Sequence, residues 1–260
     1  MKRRFILLVV AISLVGSFLG CDDDTTSPRF IAEEPFSYGS DVTTQTAFRL
    51  EGINGEVDVI GSDTATRVTA TGVRRVTADT QQEADDRLPD IEIEMTSTSD
   101  EILIKTDHPV NVSGRNYIVD YSIVVPRDLA ISLSSANGPI SVDDAIGGLV
   151  IGIANGSITV QNVQGDASLT VANGTIVADV TLLSGSRVSA GTGNGDVRLE
   201  IPTQTSADVT AMAGNGKITV SGLVLTDLDP GSSRLSGRLG SGDGTIELST
   251  GNGDIDLIGI

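Results

Sequence analysis

From about residue 136 onward the chain alternates apolar and polar residues in short runs, and almost every run opens on an Asn-Gly pair. The unit reads Ala154-Asn155-Gly156-Ser157-Ile158-Thr159-Val160, with copies at Asn137-Gly138, Asn173-Gly174, Asn194-Gly195 and Asn215-Gly216. Apolar residues stand two and four places after the glycine, the period-two pattern of a strand with one buried face. Successive asparagines are 18, 18, 21 and 21 residues apart, and a near-constant period of about twenty marks a solenoid. Asp243-Gly244 and Asn252-Gly253 repeat the unit after a Gly- and Ser-rich excursion from about Thr226 to Gly242.

A parallel β-helix gives this grammar a physical reason. Each coil sends alternate side chains inward to stack on like residues one coil away, at roughly 4.8 Å, so a repeated register is compulsory. Each corner needs a sharp bend. Asn-Gly supplies residues that tolerate positive φ, and the Asn amide can bond the turn backbone or the Asn of the next coil. Asn-Gly also closes two-residue hairpins in antiparallel meanders. The period, and the match of Val188 with Val209 and Ala190 with Ala211 at a spacing of 21, favour coils. The expected fold is all-β, a parallel β-helix (solenoid) with about 18–21 residues per coil.

Upstream, Glu56–Ile60 after its own Asn54-Gly55, Arg67–Thr71, Tyr117–Val125 and Leu129–Leu133 also read as strands. Ile91–Met95 and Ile102–Lys105 read as a hairpin around Ser97-Thr98-Ser99-Asp100. One helix of about two turns is expected where Thr80-Gln81-Gln82-Glu83 has capping-box spacing and Pro89 forbids extension. Residues 36–135 are thus the N-terminal β-rich part of the domain, and 136–260 the Asn-Gly repeat.

Composition sharpens this picture. Thirty glycines, no Trp and 3% aromatic residues describe a core of Val, Ile, Leu and Ala with many turns. The first twenty residues stand apart: basic Lys2, Arg3 and Arg4, an apolar stretch Phe5–Leu19 too short for a comfortable span, then Gly20-Cys21. This reads as a bacterial lipoprotein signal over 1–20, with the lipid on Cys21 and an acidic tether over 21–35. An ordinary secretory signal, or an uncleaved anchor with an incidental cysteine, is the competing reading. As the one cysteine, Cys21 leaves no internal disulfide. Seventeen basic against 35 acidic residues give a net charge of −18, which opposes nucleic acid and anionic membrane surfaces as partners.

The Asn-Gly-x-Ile-x-Val units, the Tyr121-Ser122-Ile123-Val124-Val125-Pro126-Arg127 stretch that leads into them and the leader together resemble a bacterial cell-envelope family labelled candidate adhesin, a domain of unknown function built as a β-helix. The resemblance covers roughly residues 40–260. It implies a solenoid on the envelope and assigns no catalytic or binding residue.

The inventory for chemistry is thin. His108 is the one histidine, so neither a zinc site nor a Ser/His/Asp triad finds its partners; no cofactor or metal is expected. Asp143, Asp144, Asp254 and Asp256 offer oxygen ligands for calcium but read better as solvated turn and outward strand residues. The nine-residue step from Gly242-Asp243-Gly244 to Gly251-Asn252-Gly253 fails the calcium nonapeptide register at Gly253-Asp254-Ile255. Gly191–Gly195 leads into a strand, a turn rather than a phosphate cradle. No aromatic follows Tyr121, which disfavours sugar stacking. The expected function is a non-enzymatic, lipid-anchored display or interaction module working through a flat outer face. The alternative is a calcium-assisted carbohydrate-active enzyme using Asp143, Asp144 and Arg187. Expected partners are the membrane through the lipid, an unknown protein or surface, and a second copy through the C-terminal edge at Leu257–Ile260, where no polar cap follows the last repeat.

Overall fold

The computed structural model describes residues 29–109, 114–231 and 233–260; Cys21, the leader and the first part of the tether lie outside them. The alternating runs become strands β1 (Phe30–Asp41), β2 (Ala47–Glu51), β3 (Val57–Ser62) and β4 (Arg67–Ala78), followed by helix α1 (Gln81–Arg87). Then come β5 (Glu92–Ser97), β6 (Glu101–Asp107), β7 (Asn116–Pro126), β8 (Ala130–Asn137), β9 (Ile140–Asp143), β10 (Leu149–Asn155), β11 (Ile158–Gln164), β12 (Ala167–Asn173) and β13 (Ile176–Thr181). The chain continues with β14 (Arg187–Asn194), β15 (Val197–Ile201), β16 (Ala207–Asn215), β17 (Ile218–Ser221), β18 (Thr226–Pro230), β19 (Arg234–Leu239), β20 (Gly244–Asn252) and β21 (Ile255–Gly259). Thr80 caps α1, its hydroxyl accepting from the Glu83 N–H at 3.2 Å, and a 3-10 turn at Leu88–Asp90 follows where Pro89 ends the helix.

Each Asn-Gly corner joins a strand of one sheet to a strand of the other, so every coil is a two-strand rung. Sheet A runs β1-β4-β7-β3-β9-β11-β13-β15-β21-β17, and sheet B runs β18-β19-β16-β20-β14-β12-β10-β8-β2-β6-β5. From β8 to β17 neighbouring rungs are parallel, as a solenoid requires. Inward side chains form columns: Ile131, Leu149, Ala167, Val188, Ile246 and Val209 in sheet B, and Ile140, Ile158, Ile176, Val197 and Ile255 in sheet A. All of these are buried within one hydrophobic core shared by both sheets, which is where burial of apolar area stabilises the fold. Thr192 and Thr250 are the exceptions in a third column. Each satisfies its buried hydroxyl by donating to a corner carbonyl, of Gly174 at 2.9 Å and of Gly195 at 2.8 Å.

Order begins earlier than the pattern predicts. β1 starts at Phe30, inside the expected tether, because it pairs over its full length with β4. β1, β4 and β7 are antiparallel, as are β5 and β6. Together with α1 and the 3-10 turn, whose Ala84 and Leu88 pack on Ala32 and Ala78, they close the N-terminal end of the stack. The aromatics gather here: Phe36 lies 5.2 Å from Tyr121 ring to ring, over Gly72 of β4. The buried Tyr121 hydroxyl bonds Thr106 at 2.6 Å, and burial pushes its pKa up to about 12 despite that bond.

The largest departure from expectation is the order of rungs. The chain leaves β14–β15, skips one rung width to lay down β16–β17, makes the antiparallel hairpin β18–β19 on the outer edge of β16, and returns to fill the gap with β20–β21. Val188 and Val209 therefore do not touch as neighbours; Ile246 stands between them, and Leu248 stands between Ala190 and Ala211. The expected C-terminal edge is also overturned. β21 is paired on both sides, by β15 and β17, and the sheet edges at that end are β17 and β18. The N-terminal end repeats the device, with β2–β3 lying between β6–β7 and β8–β9.

Candidate functional site

The most regular surface of the molecule is the corner between the sheets. Asn137 donates Nδ2 to Oδ1 of Asn54 at 2.5 Å, Asn155 to Asn137 at 2.8 Å, Asn173 to Asn155 at 2.9 Å and Asn194 to Asn173 at 2.8 Å. Asn252 then donates to Asn194 and Asn215 to Asn252, each at 2.7 Å. Asn54 closes the row by donating to the Tyr117 carbonyl at 3.0 Å. All these amides point the same way along the stack. The following glycines, Gly55, Gly138, Gly156, Gly174, Gly195, Gly253 and Gly216, have φ between 120 and 152°. Crowding reinforces the requirement: a Cβ on Gly156 would sit 2.1 Å from the carbonyl oxygen of Gly138, and one on Gly174 1.6 Å from that of Gly156.

Asp243-Gly244 is not a corner of this row. Gly244 opens β20 opposite Ala207, at the end of the link that joins β19 to β20 within sheet B and on the side of the second connection, that from sheet A back to sheet B; Asp243 there accepts from the hydroxyls of Ser241 at 2.6 Å and Ser206 at 2.9 Å. Those bonds hold the Asp243 carboxyl below the usual range. The resemblance to Asn-Gly misleads because the true corner of that rung is Asn252-Gly253, nine residues on.

Beside the asparagines runs a second set of brackets that the repeat pattern does not announce. The Asp196 carboxylate accepts the Asp254 backbone N–H, and Asp254 accepts that of Lys217, each at 2.8 Å. Asp120 accepts the N–H of Glu56 at 3.0 Å in the same row, and at the opposite end of the sheet B strands Asp166 accepts that of Arg187 at 2.8 Å. The sequence signal was the aspartate directly after Asn-Gly at 196 and 254. On the outer face of sheet B, Ser132, Val150, Ser168, Ser189, Glu247 and Thr210 form one row. Charges on the faces pair with one another: Arg187 with Glu247 at 2.5 Å, Arg198 with Glu200 at 2.7 Å, Arg238 with Asp208 at 2.7 Å.

The residues of the enzymatic alternative do not converge. Asp143 ends β9 in sheet A and accepts from Asn162 at 3.1 Å; Asp144 follows in the turn with φ of 59°. Arg187 opens β14 in sheet B, three rungs along, about 14 Å at the usual strand spacing. Asp256 lies in β21 opposite Arg198 and Thr219. His108 bonds the neighbouring Pro109 carbonyl at 2.9 Å and lies 5.9 Å from the Tyr117 ring. Among the described residues no group of three His, Cys, Asp or Glu is placed to hold a metal ion, and no helix is long and apolar enough to cross a membrane. A depression of about 200 Å³ lies at the second connection, lined by Leu182, Leu183, Pro202, Gln204, Thr205 and Asp243 among others; ligand pockets commonly start at about 300 Å³.

The Toastrack DUF4097 family model matches residues 129–258, the span of the Asn-Gly rungs from β8 to β21. This chain belongs to the Toastrack DUF4097 family. Two rungs N-terminal to that span, β2–β3 and β6–β7, extend the Toastrack stack at its N-terminal end. Solved structures similar to the chain include a candidate cell adhesion protein from Clostridium sporogenes, 13% identical with a TM-score of 0.46, covering 87% of this chain and 100% of that one. Candidate adhesins from Bacteroides fragilis (8% identical, TM-score 0.31, 86% and 97% covered) and Parabacteroides merdae (9%, 0.25, 86% and 96%) are similar more distantly. No curated protein matches the chain.

Proposed function

We propose that this Toastrack chain is a non-enzymatic, adhesin-like display or interaction module of the bacterial cell envelope, carried on a lipid at Cys21 and working through the outer faces of its rungs. The observation that supports it is the disposition of reactive groups. The carboxylates and guanidinium groups described above lie along the outside, bonded to each other or to backbone, while the interior is mainly aliphatic. Such a body is a rigid, repetitive surface rather than a cleft. Extended faces of stacked repeats are a general mode of recognition. The net charge of −18 directs the partner toward neutral or basic surfaces.

The test has two arms. Metabolic labelling with a fatty-acid probe should mark the wild-type chain, and Cys21→Ser should lose both the label and the membrane-pelleting fraction; an unlabelled wild type removes the anchor from the reading. Cells displaying the chain should adhere to neutral or basic surfaces, and Ser168→Glu with Ser189→Glu on the sheet B face should reduce that adhesion several-fold. Unchanged adhesion, or turnover of a polysaccharide with added calcium, would overturn the assignment.

A further inference from the structure

The rung β20–β21 follows β16–β17 along the chain yet precedes it in the stack. We infer that the slot between β14–β15 and β16–β17 is an exchange site for a second copy of this chain, each molecule lending its β20–β21 to the slot of the other.

The slot recognises its occupant through a code that every copy carries. Asn252 joins Asn194 to Asn215 through the amide row, Ile246 and Leu248 enter aliphatic columns, and backbone ladders run on both sides. A second molecule's rung makes the same bonds, so exchange keeps the contacts of the rung itself and gives up only those of the link that leads to it. The attachment on the N-terminal side is short. Gly240–Asp243 passes the start of β16 between β19 on one side and β20 on the other, held by exposed hydrogen bonds among Ser206, Ser241 and Asp243. Straightening that link carries the rung away from its own slot; short hinge links of this kind favour swapping.

A competing closure keeps the slot from being filled at once. β16–β17 matches β14–β15 directly at the 21-residue spacing, pairing Val188 with Val209, Asn194 with Asn215 and Val197 with Ile218. That segment precedes β20–β21 in the chain, so a route on which β16–β17 takes its native place first leaves a gap one strand wide until the third rung arrives. While the slot is open, the tethered rung and a neighbour's rung compete for it, the neighbour in proportion to concentration.

The experiment uses the full chain with Cys21→Ser, in mild detergent. Ser189 of β14 and Glu247 of β20 are register partners on the outer face. Ser189→Cys and Glu247→Cys chains are mixed, unfolded, refolded together at high concentration and oxidised. The expected result is a species of twice the monomer mass by light scattering, in which a disulfide joins position 189 of one chain to position 247 of the other. Placing both substitutions in one chain and oxidising the monomer should abolish the doubling. Ser168→Cys mixed with Ser189→Cys, partners in rungs that follow each other in chain and stack alike, should give no interchain bond. Where refolding fails, co-expression of the same pair in one cell supplies the same readout. A monomer at every concentration, a dimer without the 189–247 link, or an interchain bond in the control pair would each overturn the inference.

Discussion

Two glycines four residues apart show how differently one residue type is used. Gly156 turns the corner at φ of 145° with a neighbouring carbonyl 2.1 Å from where its Cβ would be, whereas Gly152 faces open space on the sheet B surface. Gly156→Ala should cost about 2–4 kcal/mol in chemical denaturation, while Gly152→Ala should be neutral or stabilise by up to about 1 kcal/mol. Equal effects would mean that the corner backbone relaxes freely. Asp179, in register with Glu200 on the outer side of sheet A, has its carboxyl pushed up, first by burial and then by the Glu200 carboxylate, against a backbone bond from Asn162 that lowers it. A raised carboxyl favours the folded state only when protonated; that contribution is full below the ordinary value of 3.8 and is lost as pH rises through the folded value. Asp179→Asn should therefore stabilise the protein at neutral pH, and the gain should shrink to nothing in acid when melting is followed across pH.

At the scale of strands, neighbours decide what a residue is worth. Leu257 in β21 is buried with a rung on each side, and Val220 in β17 is a partly buried residue of an edge. Leu257→Ala should cost about 2–5 kcal/mol and Val220→Ala about 1 kcal/mol or less; the reverse ranking would put β17 inside. The existence of the rungs was legible because Asn-Gly and period-two alternation report a corner and a one-sided strand, both local properties. The capped helix at Thr80 was legible for the same reason. Stacking order was not, because each rung carries one code: Val209 suits Val188 as well as it suits Ile246, and no local signal says which it meets. The β5–β6 hairpin was legible from its short polar turn, but the antiparallel pairing of β4 with β7 was obscured because alternation is the same in both strand directions, and β1 because its pairing with β4 lies some forty residues away. Asp243-Gly244 misled because a turn pair specifies a bend but not whether it leads to the other sheet or, as here, from β19 to β20 within one sheet. Cys21 lies outside the described residues, so lipidation rests on the leader alone.

Taken whole, the molecule is a ladder whose middle is closed from both ends of the chain, by β2–β3 near one terminus of the stack and by β20–β21 near the other. Tension shows what this wedging does. A load hung on Ile260 is passed to β21, and with β15 and β17 alongside, that strand must shear free of two ladders at once. A load hung on Ser221 peels β17 from one neighbour only. In single-molecule stretching against a handle at the N-terminal tether, rupture from position 260 should need the larger force and should release β16–β19 in the same step. Equal forces would show that the wedge bears no strain. Mechanical strength would then come from the order of threading and not from any one bond.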